Sequence, residues 1–71
     1  MPDAKASTFQ RAARKLGFAP VRQKGSHERW NHPDGRQTTI PVHPSKVISG
    51  YVYYSILQQM GITDQEFRNL K

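Results

Sequence analysis

Phe9, Ala12, Ala13 and Leu16 recur at i, i+3, i+4 and i+7, the spacing that gathers apolar side chains into one stripe of an α-helix. Arg11, Arg14 and Lys15 occupy the rest of that helix surface. Ser7-Thr8-Phe9-Gln10 has the form of a capping box, with Ser7 as N-cap and Gln10 three residues on. Gly17 is suited to end the helix in the left-handed conformation. The pattern predicts a helix over about 8–16, preceded by a loose arm of residues 1–6.

The pattern then changes. Phe18 to Lys24, His27 to His32 and Arg36 to Val42 read as short extended segments, separated by Gly25-Ser26 and by Pro33-Asp34-Gly35. Pro20 cannot donate to a strand ladder, which places the first segment at a sheet edge. Connections this short require antiparallel pairing, so the three form a meander. His43-Pro44-Ser45 ends the third segment, and a loop leads to Ser49-Gly50. Val52, Ile56, Leu57 and Met60 then predict a second apolar helical stripe, joined by one or more of Tyr51, Tyr53 and Tyr54 and closed by Gly61. Thr63-Asp64-Gln65-Glu66 is a second capping box, opening a short helix with Phe67 and Leu70 as its apolar contacts. The expected fold is α+β: an α-β-β-β-α order with a three-stranded antiparallel sheet, both helices on one face and a short C-terminal helix.

Seventy-one residues is room for a single domain, residues 1–71, whose modest core leaves stability for a partner to add. There are no cysteines, which excludes a disulfide framework and any thiolate metal cluster. The opening MPDAKASTFQ carries no apolar signal region and no stretch approaches a membrane span, so the expectation is a soluble, cytoplasmic protein that engages no membrane. Charge adds more. Eleven Lys and Arg stand against five Asp and Glu, a net +6. Lys5, Arg11, Arg14, Lys15, Arg22, Lys24, Arg29 and Arg36 lie in the first half, beside only Asp3, Glu28 and Asp34. A concentrated positive field on a small domain favours a polyanion such as nucleic acid, against the plainer reading of a solvated basic surface.

Alternation along the strands sorts the side chains. Trp30 should face the helices, with Glu28 and His32 on its side, as should Val21, Ile40 and Val42. The open face then collects Arg22, Lys24, His27, Arg29, Gln37 and Thr39: cationic, rich in donors, with one titratable imidazole at its edge. His27 reads either as a turn histidine or as a proton-transfer group. His32, opening the His32-Pro33-Asp34-Gly35 turn, reads as structural, and His43 as either loop packing or a second site residue. No histidine pair has helical i, i+4 spacing or carboxylate company, so no metal is expected. Without a Gly-rich phosphate loop or nucleophile elbow, no small-molecule cofactor is expected either.

Gly17-Phe18, then Val21-Arg22-Gln23-Lys24-Gly25-Ser26-His27, His32-Pro33-Asp34-Gly35-Arg36, Ile40-Pro41-Val42-His43, Ser55-Ile56-Leu57, Gly61-Ile62 and Glu66-Phe67 closely resemble the HicA-type toxins. The Arg-Gln-Lys-Gly-Ser-His string is the specific part. The resemblance implies a fold similar to a double-stranded-RNA-binding domain. It implies a ribosome-independent mRNA interferase, an endoribonuclease acting on mRNA, neutralised by a HicB-like antitoxin. The histidine of Gly-Ser-His is the family's catalytic residue, which corresponds to His27.

RNA carries its own nucleophile, the 2′-OH, so cleavage needs a base, cations at the phosphate and an acid for the leaving 5′-oxygen. A free imidazole, with a pKa of about 6.5, can serve as either base or acid. Arg22, Lys24 and Arg29 are candidate phosphate clamps, with Ser26 or the backbone N–H groups of its turn as further donors. Two other readings compete: a non-catalytic double-stranded-RNA-binding module, and an interaction protein whose basic face docks an acidic partner.

Overall fold

The computed structural model describes residues 2–70. Eight elements follow in order: β1 (Asp3–Lys5), α1 (Ala6–Leu16), β2 (Ala19–Lys24), β3 (His27–Asn31), β4 (Gln37–Pro41), β5 (Val47–Ser49), α2 (Gly50–Met60) and α3 (Asp64–Leu70). The expected meander is present as an antiparallel sheet of order β2-β3-β4, with β2 at the edge that Pro20 indicated. This is the α-β-β-β-α arrangement of a double-stranded-RNA-binding domain, extended by α3.

A second sheet, of two strands, was not expected. Residues 3–5, read as part of a loose arm, pair antiparallel with residues 47–49, read as loop, in the register Asp3↔Ser49, Ala4↔Ile48, Lys5↔Val47. Met1 of that arm lies outside the described residues. Ala4 and Ile48 face the core while their neighbours face out. This ribbon also explains why Ser7 does not cap α1. The helix starts at Ala6, whose N–H donates to the Lys46 carbonyl at 2.8 Å, and the Ser7 N–H donates to the Pro44 carbonyl at 3.1 Å. Backbone carbonyls thereby satisfy two of the four N–H groups that a helix start leaves open. Gln10 is freed from capping duty and donates instead to the Pro41 carbonyl at 2.9 Å.

The other helix signals hold. Gly17 and Gly61 close α1 and α2 with φ of 101° and 74°, and each N–H returns to the preceding turn. The Thr63 N–H donates to Glu66 Oε1 and the Glu66 N–H to Thr63 Oγ1, the reciprocal pair of a capping box.

The core joins Trp30 and Ile40 of the sheet to Phe9, Ala12 and Ala13 of α1 and to Tyr53, Ile56, Leu57 and Met60 of α2. In α2 the buried stripe is 53, 56, 57 and 60, a regular i, i+3, i+4, i+7 set, so Tyr53 takes the place expected for Val52, which is exposed. Phe9 stacks on Phe67 at 4.5 Å and meets Tyr53 edge-on at 5.4 Å, so three aromatic rings lock the three helices together. The Tyr53 hydroxyl donates to Asp64, and burial, that hydrogen bond and the carboxylate charge push its pKa up to about 12.

The His32–Gly35 turn ties the sheet to both long helices. His32 Nε2 donates to the Leu16 carbonyl at 2.9 Å while the ring packs on Phe18. Arg36 Nε bonds Asp34 Oδ2 at 2.8 Å, and its Nη1 donates to the Met60 carbonyl at the end of α2 at 2.6 Å. The Arg36 backbone N–H above all, with the nearby guanidinium and imidazole, holds the Asp34 carboxyl below its usual pKa. His32 is therefore a structural residue, as its position before the turn suggested.

Candidate nucleic-acid interface

Val21 was expected to point inward; it is 56% exposed. The register explains why. Pro20 opposes Trp30, but Arg22 opposes Arg29, so Val21 is an extra residue in a β-bulge with no partner on β3. Continued without a bulge, the Pro20↔Trp30 register would set Arg22 opposite Glu28, on the helix side of the sheet. The bulge shifts the ladder by one residue and returns Arg22 and Lys24 to the open face. They reach the expected face by a route that simple alternation does not contain.

Two rows of three residues then align across the strands. Lys24, His27 and Pro41 form one row, and Arg22, Arg29 and Thr39 form the next. Side chains directly opposite one another in such ladders sit with Cβ atoms about 5 Å apart. Arg22, Lys24, His27, Arg29 and Thr39 together line an open depression of about 210 Å³. It holds three cations around one imidazole. Ser26, the remaining expected donor, lies in the exposed turn between Lys24 and His27 but does not line the depression.

The His27 end of the ladder is fixed by local structure. Gly25 turns the chain with φ of 60°, a left-handed conformation in which glycine has no Cβ to strain. The Ser26 carbonyl accepts from the Val42 N–H at 2.9 Å, and Gln23 Nε2 donates to the Gly25 carbonyl at 3.2 Å. Opposite His27, the Pro41 carbonyl is held by Gln10 of α1. The imidazole itself makes no hydrogen bond to another described residue, which leaves both ring nitrogens open to a ligand.

Several of the other basic residues have structural work. The Arg14 guanidinium lies over the Trp30 ring at 5.2 Å, Lys15 donates to the Leu70 carbonyl at 2.6 Å, and Arg36 latches α2. His43 lies in the exposed turn after β4 and does not line the depression. Of the three tyrosines, Tyr53 is core, whereas Tyr51 is 87% exposed. Among the described residues no group of three or more His, Asp or Glu is placed to hold a metal ion, and no helix is long and apolar enough to cross a membrane.

Fold and face together define a basic α+β domain, arranged like a double-stranded-RNA-binding domain, with one imidazole set among its cations. The family model described as the HicA toxin of bacterial toxin–antitoxin matches residues 6–62, from the first residue of α1 to just past α2. The chain belongs to the HicA toxin family. It is a toxin of a toxin–antitoxin system, and an antitoxin is its partner. A comparison with curated proteins gives no match.

Proposed function

We propose that this toxin is a metal-independent endoribonuclease that cleaves mRNA in the cytoplasm, with His27 as general acid or base. The observation that carries the reading is the placement of His27 in one depression with Lys24, Arg22 and Arg29. Cleavage by the 2′-OH passes through a phosphorane with more negative charge than the starting diester, so cations fixed beside it favour the transition state over the ground state. Lys24, in register with His27, and the Arg22–Arg29 pair one row away are suited to that charge. Ser26 and the N–H groups of its turn add neutral donors at the edge of the site. The exposed imidazole moves the proton, to or from the 2′-oxygen or the leaving 5′-oxygen. With one such group, catalysis is modest, which suits an agent that depletes its target gradually.

A HicB-like antitoxin controls the activity by covering this face with acidic or polar groups. Complementary charge speeds association, and apolar contact at Tyr51 or Tyr54 slows release.

The test is His27→Ala. The side chain is exposed and has no hydrogen-bond partner among the described residues, so the circular dichroism spectrum should stay unchanged. Cleavage of single-stranded RNA should fall by about 10²–10⁴-fold, the usual worth of one proton-transfer group. RNA bound but not cut by the natural protein would favour a non-catalytic double-stranded-RNA-binding module instead.

A further inference from the structure

Beside the cationic depression lies a second recess of about 190 Å³, lined by Arg29, Gln37, Thr38, Thr39 and Gln59. The two share Arg29 and Thr39, which are register partners across β3 and β4, so one continuous surface leads from His27 into the recess. Its chemistry differs from that of its neighbour. Where the first holds three cations and an imidazole, this one holds a single cation, two amides and two hydroxyls.

The amides are oriented. Arg29 Nη1 donates to Gln37 Oε1. A guanidinium has no acceptor, so Gln37 must turn its oxygen to Arg29 and its NH₂ group away. Thr38, on the buried side of β4, donates through Oγ1 to Gln59 Oε1 at 2.8 Å, which ties the α2 side chain to this outer strand and leaves its NH₂ group without a partner among the described residues. The recess therefore offers amide N–H donors beside a single cation. A phosphate is better served by the cations next door. The group that fits amide donors is an acceptor atom on the edge of a planar heterocycle, such as N7 or O6 of guanine or N7 of adenine. Single-stranded RNA exposes such edges unpaired. The volume is below the roughly 300 Å³ at which whole small-molecule sites begin, which limits the occupant to about one base. Residues two apart on a strand are about 7 Å apart, so the recess starts one row beyond His27, within reach of the nucleotide beside the phosphate held there.

We propose that the Gln37–Gln59 recess binds one nucleobase flanking the cleaved linkage and sets the sequence preference of the toxin. The cleavage half of this statement rests on the endoribonuclease reading; base binding in the recess does not. Two measurements test it. Cleavage sites in a randomised RNA pool should show a preference within one nucleotide of the cut, which Gln59→Leu reduces by about tenfold, the worth of one good base contact. Gln59→Glu, which replaces the donor NH₂ by an acceptor, should move that preference towards bases bearing an amino group. Identical position-by-position preferences in all three proteins would overturn the assignment. Independently, the side-chain NH₂ resonances of Gln37 and Gln59 should shift when the His27→Ala variant is titrated with pentaribonucleotides differing in the central base. Amides that stay unmoved while Arg22 to Arg29 respond would equally overturn it. Should the natural protein cut no RNA, the endoribonuclease reading fails, and the amide titration still decides the recess.

Discussion

The charge footprint of the sheet face sets a quantitative expectation for RNA binding. Arg22, Lys24 and Arg29 surround one depression, whereas Arg14 and Lys15 on α1 are engaged with Trp30 and Leu70. Each phosphate contact on a single strand contributes about 0.7 to the log–log dependence of affinity on salt. Three contacts give a slope of about −2, so raising salt from about 50 to 200 mM should weaken binding roughly 18-fold. Neutralising any one of the three should lower the slope by about 0.7 and remove a factor of about 2.6 from that salt response. The assay is fluorescence anisotropy of a labelled single-stranded RNA, with His27→Ala as background so that the ligand survives. Arg22→Gln, Lys24→Gln and Arg29→Gln are compared with Arg11→Gln on the exposed surface of α1. The reasoning is refuted if the slope is unchanged in all three sheet variants, or if Arg11→Gln flattens it as much as they do. Either result would move the RNA to the helical face.

Other expectations follow from the same geometry. Cleavage should persist in excess EDTA, since no carboxylate or second histidine joins His27 in the depression; loss on chelation with recovery on adding a divalent ion would contradict the site as described. The Tyr53 hydroxyl has a folded-state pKa of about 12 against 10 for a free tyrosine. Its contribution, up to about 2–3 kcal/mol, is fully present below pH 10 and is lost as pH rises towards 12, because the unfolded chain releases this proton first. Tyr53→Phe should therefore lower stability at neutral pH by about 1–2 kcal/mol. It should also flatten the decline between pH 10 and 12 in urea titrations; parallel curves for the two proteins would count against the bond to Asp64. Hydrogen exchange with the antitoxin bound should show protection across residues 22–29. Protection confined to α1 and α2 would mean inhibition from a distance.

Much of this fold can be read along the chain because its signals are local. The stripe of Phe9, Ala12 and Ala13, the terminating glycines, the tight turns at 25–26 and 33–35, and the Thr63–Glu66 box each lie within a few residues of what they specify. The β1–β5 ribbon does not. Its strands are three residues long, lie about 40 residues apart and bury one apolar side chain each, so neither shows a period. The same ribbon removed the need for the Ser7 cap, which turned a correct local motif into an unused one. Alternation placed Arg22, Lys24, His27 and Arg29 on one face, but it also turned Val21 inward, because a bulge is an interruption that alternation cannot express. Gln59, which lines the second recess, carries no such signal at all. Nothing near it in sequence marks it, and only the docking of α2 against β4 brings it to Thr38.

The bulge at Val21 has a second consequence, for how the toxin behaves among copies of itself. β2 is an outer strand with all six of its residues exposed, and such an edge is a template on which another chain can add a strand. Here the template is defective. Pro20 has no N–H to offer, the extra residue at Val21 breaks the even spacing an incoming strand would need, and Arg22 and Lys24 would meet their own counterparts in a symmetric pairing. The device that aims two cations at the open face also blunts the edge they stand on, so this side of the small basic sheet can stay unpaired before its antitoxin arrives.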